Sequence, residues 1–317
     1  MGRFIARRLL LSLLTLAIIL VIITLIPNLA PGDPARKIAG GTASPERLMQ
    51  VREQLGLDRS VGEQLRDTVW DTVRFDFGES SRGADVTTLV RSALWNSTKL
   101  VAFALLLVLP LSIAGGVWAA YRRDTWIDRT IVNGGVALSA LPEFVTGVLL
   151  LALLGVPIGF FKVLSQAPPD AGFFTQVQHL LLPAITVLIV YFGYIARITR
   201  ASTIEALDSD YARTAFMKGL STGEVFRKHV LRNALPPTVA VVGTQLGYMF
   251  GGMIGLELIF TYPGLGRLII DAIRGADYPV LRGAVLTIAI VYMVATLASD
   301  LLIAWMNPRA RLALEES

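Results

Sequence analysis

Six stretches of about twenty mostly apolar residues recur along this chain, with polar segments between them, and a water-soluble core has no room for that many. They run from Leu9 to about Leu29, then over about 98–120, 131–154, 179–198, 235–256 and 282–305. About twenty residues of helix match the hydrocarbon thickness of a bilayer. Inside lipid each backbone polar group has to be satisfied within its own segment, which selects helices for such runs. Charged residues make up 17% of the chain, against about 25% for soluble domains. The expected fold is an all-α integral membrane protein with about six transmembrane helices. The basic start, Met1–Arg8, gives the first run the look of a signal peptide. Its apolar run is longer than a signal core of about 7–15 residues, and Asn28-Leu-Ala-Pro31 is a weak cleavage site. It is read as a retained helix.

The short-loop arginines and lysines set the orientation. Arg3, Arg7 and Arg8 precede the first span, and Arg122, Arg123 and Arg129 follow the second. Arg197, Arg200, Arg213, Lys218, Arg227, Lys228 and Arg232 lie between the fourth and fifth, and Arg309 and Arg311 follow the sixth. Six crossings put all of these on one side, which the positive-inside rule makes cytoplasmic, so both termini are inside. Arg267, Arg274 and Arg282 fall on the other side, partly offset by Asp271 and Asp277. The organisation is then a cytoplasmic N-terminus and first helix at 1–29, a polar extracytoplasmic segment at 30–97, a transmembrane core at 98–305 and a cytoplasmic tail at 306–317. Short amphipathic helices are expected around Glu46–Leu55 and Gly62–Val73. Membrane orientation also accounts for the net charge of +5 without a nucleic-acid partner. With no cysteine, a disulfide framework or thiolate metal site is excluded.

Residues 199–233 are too polar for lipid and too patterned for an irregular loop. Ile204, Leu207, Tyr211 and Ala215 follow steps of three and four, which predicts one apolar stripe on an amphipathic helix. Glu205, Asp208, Asp210, Arg213 and Lys218 lie mostly off it. Gly219 offers a helix C-terminus. Ser221-Thr-Gly-Glu224 is a capping-box pattern that starts a second short helix, and Pro236-Pro237 predicts a turn into the fifth span. A helix, a glycine turn and a short helix fit a docking arm for another protein. They fit equally an amphipathic connector lying on the lipid surface.

The run Asp210-Tyr-Ala-Arg-Thr-Ala-Phe-Met-Lys-Gly219-Leu-Ser resembles the cytoplasmic loop of binding-protein-dependent ABC importer permeases. That family carries a Glu-Ala-Ala triplet six residues before a glycine. Arg213-Thr214-Ala215 stands in the triplet here and Gly219 in the glycine position. His229-Val-Leu-Arg-Asn-Ala-Leu-Pro236 resembles the continuation in the dipeptide, oligopeptide and nickel branch, which commonly departs from the triplet in this way. Phe4-Ile-Ala-Arg-Arg8, Pro31-Gly-Asp-Pro34, Leu141-Pro-Glu-Phe-Val-Thr-Gly147, Glu257-Leu-Ile-Phe-Thr-Tyr-Pro-Gly-Leu-Gly266, Asp300 and Asn307-Pro-Arg309 agree in order and spacing. The resemblance implies a type I importer permease fold in a prokaryotic inner membrane. It implies a second homologous permease, two ATPase subunits carrying ATP and magnesium, and an extracytoplasmic substrate-binding protein. It marks Asp210, Arg213, Thr214, Ala215, Gly219, Ser221 and Arg227 as the ATPase-coupling residues. None of Lys37, Lys99, Lys162, Lys218 and Lys228 is followed by Ser or Thr, so no phosphate-binding loop is present. The chain is expected to bind no cofactor and to catalyse nothing itself.

Intramembrane acids are costly and mark function. Glu143 falls near mid-depth of the third span, where it either lines the translocation path or pairs with a neighbouring helix. Asp300 lies toward the inner end of the last span, where it caps, pairs or reaches the interface. Gly247, Gly251, Gly252 and Gly255 predict close helix packing. His179 and His229 lie on opposite sides, so no shared metal site is expected. An ion-coupled carrier would show internal repeats or broken helices, and neither is evident. A membrane-embedded enzyme would need converging acids or a nucleophile with its base.

Overall fold

A computed structural model describes residues 2–29, 32–40, 42–168 and 170–306. The terminal Asn307-Pro-Arg309 motif, the tail arginines and Pro31 lie outside them. The described residues form helices and no β-strand. In chain order these are α1 (Gly2–Leu29), α2 (Pro34–Ala39), α3 (Pro45–Gln54), α4 (Val61–Arg74) and α5 (Val86–Tyr121). Then come α6 (Trp126–Ser139), α7 (Glu143–Gly155), α8 (Phe173–Leu207), α9 (Asp210–Met217), α10 (Thr222–Ile259), α11 (Leu265–Arg274) and α12 (Tyr278–Met306). Five of them, α1, α5, α8, α10 and α12, are long and apolar enough to cross a membrane, and α6 with α7 makes a sixth span if that bent pair is counted as one.

The third span is therefore not the straight helix expected over 131–154. α6 and α7 meet at 104° across Ala140–Pro142. Pro142 has no amide hydrogen and disfavours helical geometry in the residue before it, which breaks the run there. The turn expected at Pro236-Pro237 is absent. Both prolines lie inside α10, which runs unbroken through a π-helical segment at Phe226–Val230. Helix α5 has 36 residues, about 54 Å at 1.5 Å per residue, and takes in the last part of the polar segment assigned to 30–97.

The described residues fold as two compact units, Gly2–Thr98 with Met253–Val294, and Lys99–Gly252 with Ala295–Met306. In the first, Leu20 and Ile23 of α1 share a core with Phe77, Val86 and Val90, with Leu265, Ile269 and Ala272 of α11, and with Leu281 and Leu286 of α12. The two short helices foreseen in the polar segment are α3 and α4. Ser44 and Ser60 cap them, and Glu63 completes a capping box on α4. Arg282 is balanced by Asp71 at 3.9 Å and donates to Thr68 Oγ1 at 3.0 Å. Arg267 pairs with Asp271 at 3.5 Å. In the second unit, glycines let backbones meet. A Cβ on Gly193 of α8 would overlap the Gly135 backbone of α6, and one on Gly116 would run into the Ala196 carbonyl. This is the small-residue packing of membrane helices.

Candidate functional site

The segment 199–233 folds as a hairpin, with its break in an unexpected place. Helix α8 extends to Leu207, so Ile204 and Leu207 belong to the long helix. Ser209, extended at φ −76° and ψ 155°, accepts the Ala212 amide at 3.4 Å and starts α9 afresh. That restart shifts the helical phase. The buried residues of α9 are Ala212 and Ala215, whereas Tyr211, expected in the apolar stripe, is 42% exposed. Gly219 then takes φ +77°, the left-handed geometry that glycine accepts cheaply. Ser221 and Glu224 form the anticipated capping box. Ala206, Ala212, Ala215, Val225, Val230 and Ala234 close into a small core of the hairpin's own.

Six of the seven residues named for coupling, Asp210, Arg213, Thr214, Gly219, Ser221 and Arg227, are exposed. The seventh, Ala215, is 4% exposed and packs inside the hairpin. Beside the exposed six stand Phe216 and Met217, the latter 87% exposed. Sequence periodicity alone misses these two, because they lie off the predicted stripe of Ile204, Leu207, Tyr211 and Ala215.

The hairpin is tied to its own unit at its base. Arg200 of α8 grips the buried carboxylate of Asp128 on α6 with two hydrogen bonds, Nε at 2.5 Å and Nη2 at 2.6 Å, and Asp128 also accepts the Asp124 amide at 2.9 Å. This planar, two-pronged geometry is specific to arginine. The Tyr121 and Phe226 rings lie 5.3 Å apart, and the Thr199 and Thr238 hydroxyls share a hydrogen bond of 3.0 Å. Neither Asp128 nor Arg200 carries a local motif.

Glu143 does not sit in the middle of a helix. It is the first residue of α7, just past the break, where a carboxylate complements the positive end of the helix dipole. It is half-buried, and the Tyr191 hydroxyl of α8 donates to its Oε1 at 3.1 Å. A Cβ on Gly252 of α10 would collide with this carboxylate, so that glycine makes room for Glu143. Gly251, next to it, faces open space. Three elements thus converge on one acid at a broken span.

A second acid was missed. Glu257 is fully buried near the end of α10. The N-terminus of α11 begins at Gly264, which has no side chain to cap it. Glu257 Oε2 accepts the Gly266 and Arg267 amides at 2.7 and 3.3 Å, and Ser97 Oγ accepts the Leu265 amide at 2.9 Å. Ser97 donates in turn to Glu257 Oε1 at 2.5 Å. The capping normally done by the preceding residue comes here from Glu257 on the helix just before and from Ser97 on the distant α5. The available signal was an acid closing an apolar run ahead of an uncapped Pro263-Gly264. His179 lies against the Leu164 carbonyl at 2.6 Å, and the described residues hold no cluster of three or more metal-ligating side chains.

Residues 112–312 match the model of the binding-protein-dependent transport system inner membrane component, and residues 1–79 match its N-terminal companion. A protein of Sinorhizobium fredii named "Probable peptide ABC transporter permease protein" is 34% identical over 312 residues, covering 98% of this chain and 100% of its own. A glutathione transport system permease protein of Salmonella choleraesuis is 35% identical over 316 residues, covering 98% and 99%. The α6–α7 break does not turn the reading toward an ion-coupled carrier, because the family match spans that break. These matches assign the type I importer permease fold and a multi-pass place in the inner membrane. The chain belongs to the binding-protein-dependent family of ABC importer permeases, whose members are non-catalytic transmembrane subunits.

Proposed function

We propose that this chain forms half of a translocation path for peptides or peptide-like solutes such as glutathione, and that the 199–233 hairpin docks one of two ATPase subunits on the cytoplasmic side. ATP and magnesium sit on those subunits. A second homologous permease supplies the other half of the path, and an extracytoplasmic binding protein supplies the solute. The exposed Tyr211, Phe216 and Met217, rimmed by Asp210, Arg213, Thr214, Ser221 and Arg227, carry the docking reading. The inner face of α9 is used up by the hairpin's own core, which leaves no broad apolar face to lie on lipid. Ala215 contributes by packing rather than by contact. Movement of the docked subunit passes through α8 and the Asp128–Arg200 pair to α6, and so to the break that carries Glu143. There the carboxylate is placed to meet the ammonium group of a peptide.

The substitution Met217→Glu tests the docking face. It puts a charge at an 87% exposed position outside the hairpin core. The expected result is normal membrane insertion with a loss of ATPase co-purification and uptake of about tenfold or more, the scale of an interface hot spot. Unchanged uptake and co-purification would sink the docking role.

A further inference from the structure

One groove in the first unit has no part in the reading above. It is about 800 Å³ in volume and runs between α1 and the α11–α12 corner. Ile19, Ile22, Ile23 and Ile26 of α1 line one wall, at steps of three, one and three that keep them on one helical face. Ile269 and Ile273 line the other. Lys37 and Arg274 stand in its lining, and no acid does.

We propose that this groove binds an anionic phospholipid, with an acyl chain against the isoleucines and the phosphate held by Lys37 and Arg274. Three observations choose that occupant. The isoleucine wall extends about 10 Å along α1 at 1.5 Å per residue, on a helix that itself crosses the membrane, so hydrocarbon is the solvent at that depth. Both cations are exposed, and among the described residues neither is held in an ion pair. Lys37 follows the end of α1 at Leu29 within eight residues, which puts it at the polar boundary where phosphates lie. The neighbouring cleft makes the contrast. Its Arg59 is already matched by Asp67 at 2.7 Å and its Arg282 by Asp71 at 3.9 Å. Of these two clefts, the isoleucine groove is the one whose positive charge is left for a ligand. Basic pockets between membrane helices on the cytoplasmic side bind acidic headgroups by such charge pairing, and the same pairing is available here at the opposite face.

The test uses the complete transporter purified in mild detergent, with native mass spectrometry reading retained phosphatidylglycerol against phosphatidylcholine of the same acyl composition. Wild type is expected to favour phosphatidylglycerol. The double variant Lys37→Gln/Arg274→Gln is expected to reduce that preference roughly thirtyfold, from the weight of two interfacial charges. Ile22→Trp, which fills the groove and keeps both charges, is expected to lower retention of both lipids. A photo-crosslinker replacing Ile22, 58% exposed, is expected to label lipid. No preference in wild type, an unchanged preference in the double variant, or crosslinking to the second permease instead of lipid would overturn the proposal. None of these readouts depends on transport, so the result stands apart from the coupling reading.

Discussion

At the scale of single residues, glycines divide by what faces them. Gly134 has open space where a Cβ would go, whereas Gly193, against the Gly135 backbone, has none. Alanine is favoured over glycine in a helix by roughly 1 kcal/mol, and forcing atoms into a packed contact costs roughly 1–3 kcal/mol or more. Gly134→Ala is therefore expected to leave the melting temperature in detergent unchanged or raised, and Gly193→Ala to lower it by several degrees. Equal effects of the two would refute the crossing. The sequence made one of these contacts partly legible. The glycine stripe in the fifth span announced close approach, and Gly252 meets Glu143, but spacing alone cannot say that the partner is an acid rather than a helix. Gly193 gave no signal, since Ile189 and Arg197 flank it at four residues.

At the scale of elements, local chemistry was readable and distant chemistry was not. The Ser221–Glu224 box lies within four residues and closes as read, and the Ser60–Glu63 box, not foreseen from the sequence, has the same spacing. The cap on α11 joins Ser97 to Glu257, 160 positions away, and only the fold brings them together. Its loss should be felt by one helix. Glu257→Ala leaves the buried Gly266 amide and the partly buried Arg267 amide without acceptors, a cost of about 1–3 kcal/mol. Hydrogen exchange should quicken across α11 while α4 stays protected. Uniform quickening in both helices would mean that the carboxylate stabilises the fold generally and is no dedicated cap. The boundary at Ser209 was legible in principle as a capping serine. The run Ile204–Ala215 kept helical spacing across it, and periodicity is blind to a restart that preserves the spacing.

At the scale of the whole molecule, hydropathy and loop charge carried the reading of a six-span chain with both termini inside. They could not reveal the 104° bend in the third span, because apolar content is the same on both sides of a corner and Pro142 alone marks it. The absence of cysteine makes sidedness directly testable, since one introduced thiol is the only target for a maleimide. A cysteine at Arg66, whose side chain is 78% exposed, is expected to react with a membrane-impermeant reagent in intact cells or spheroplasts. A cysteine at Asp124, whose side chain is 81% exposed in the loop beside the hairpin and outside its docking face, is expected to react only after permeabilisation. The reverse pattern would invert the assigned orientation and remove the hairpin from the side where ATP is available.

The π-helical segment Phe226–Val230 gives the hairpin its compass bearing. There the Leu231 amide reaches back five residues to the Phe226 carbonyl instead of four, so one surplus residue is stored between the hairpin and the rest of α10. Each residue of an α-helix turns the chain by about 100°. Losing a single residue from that stretch would keep every group on the exposed face and point them all toward a different neighbour, like a key cut correctly but turned on its shaft.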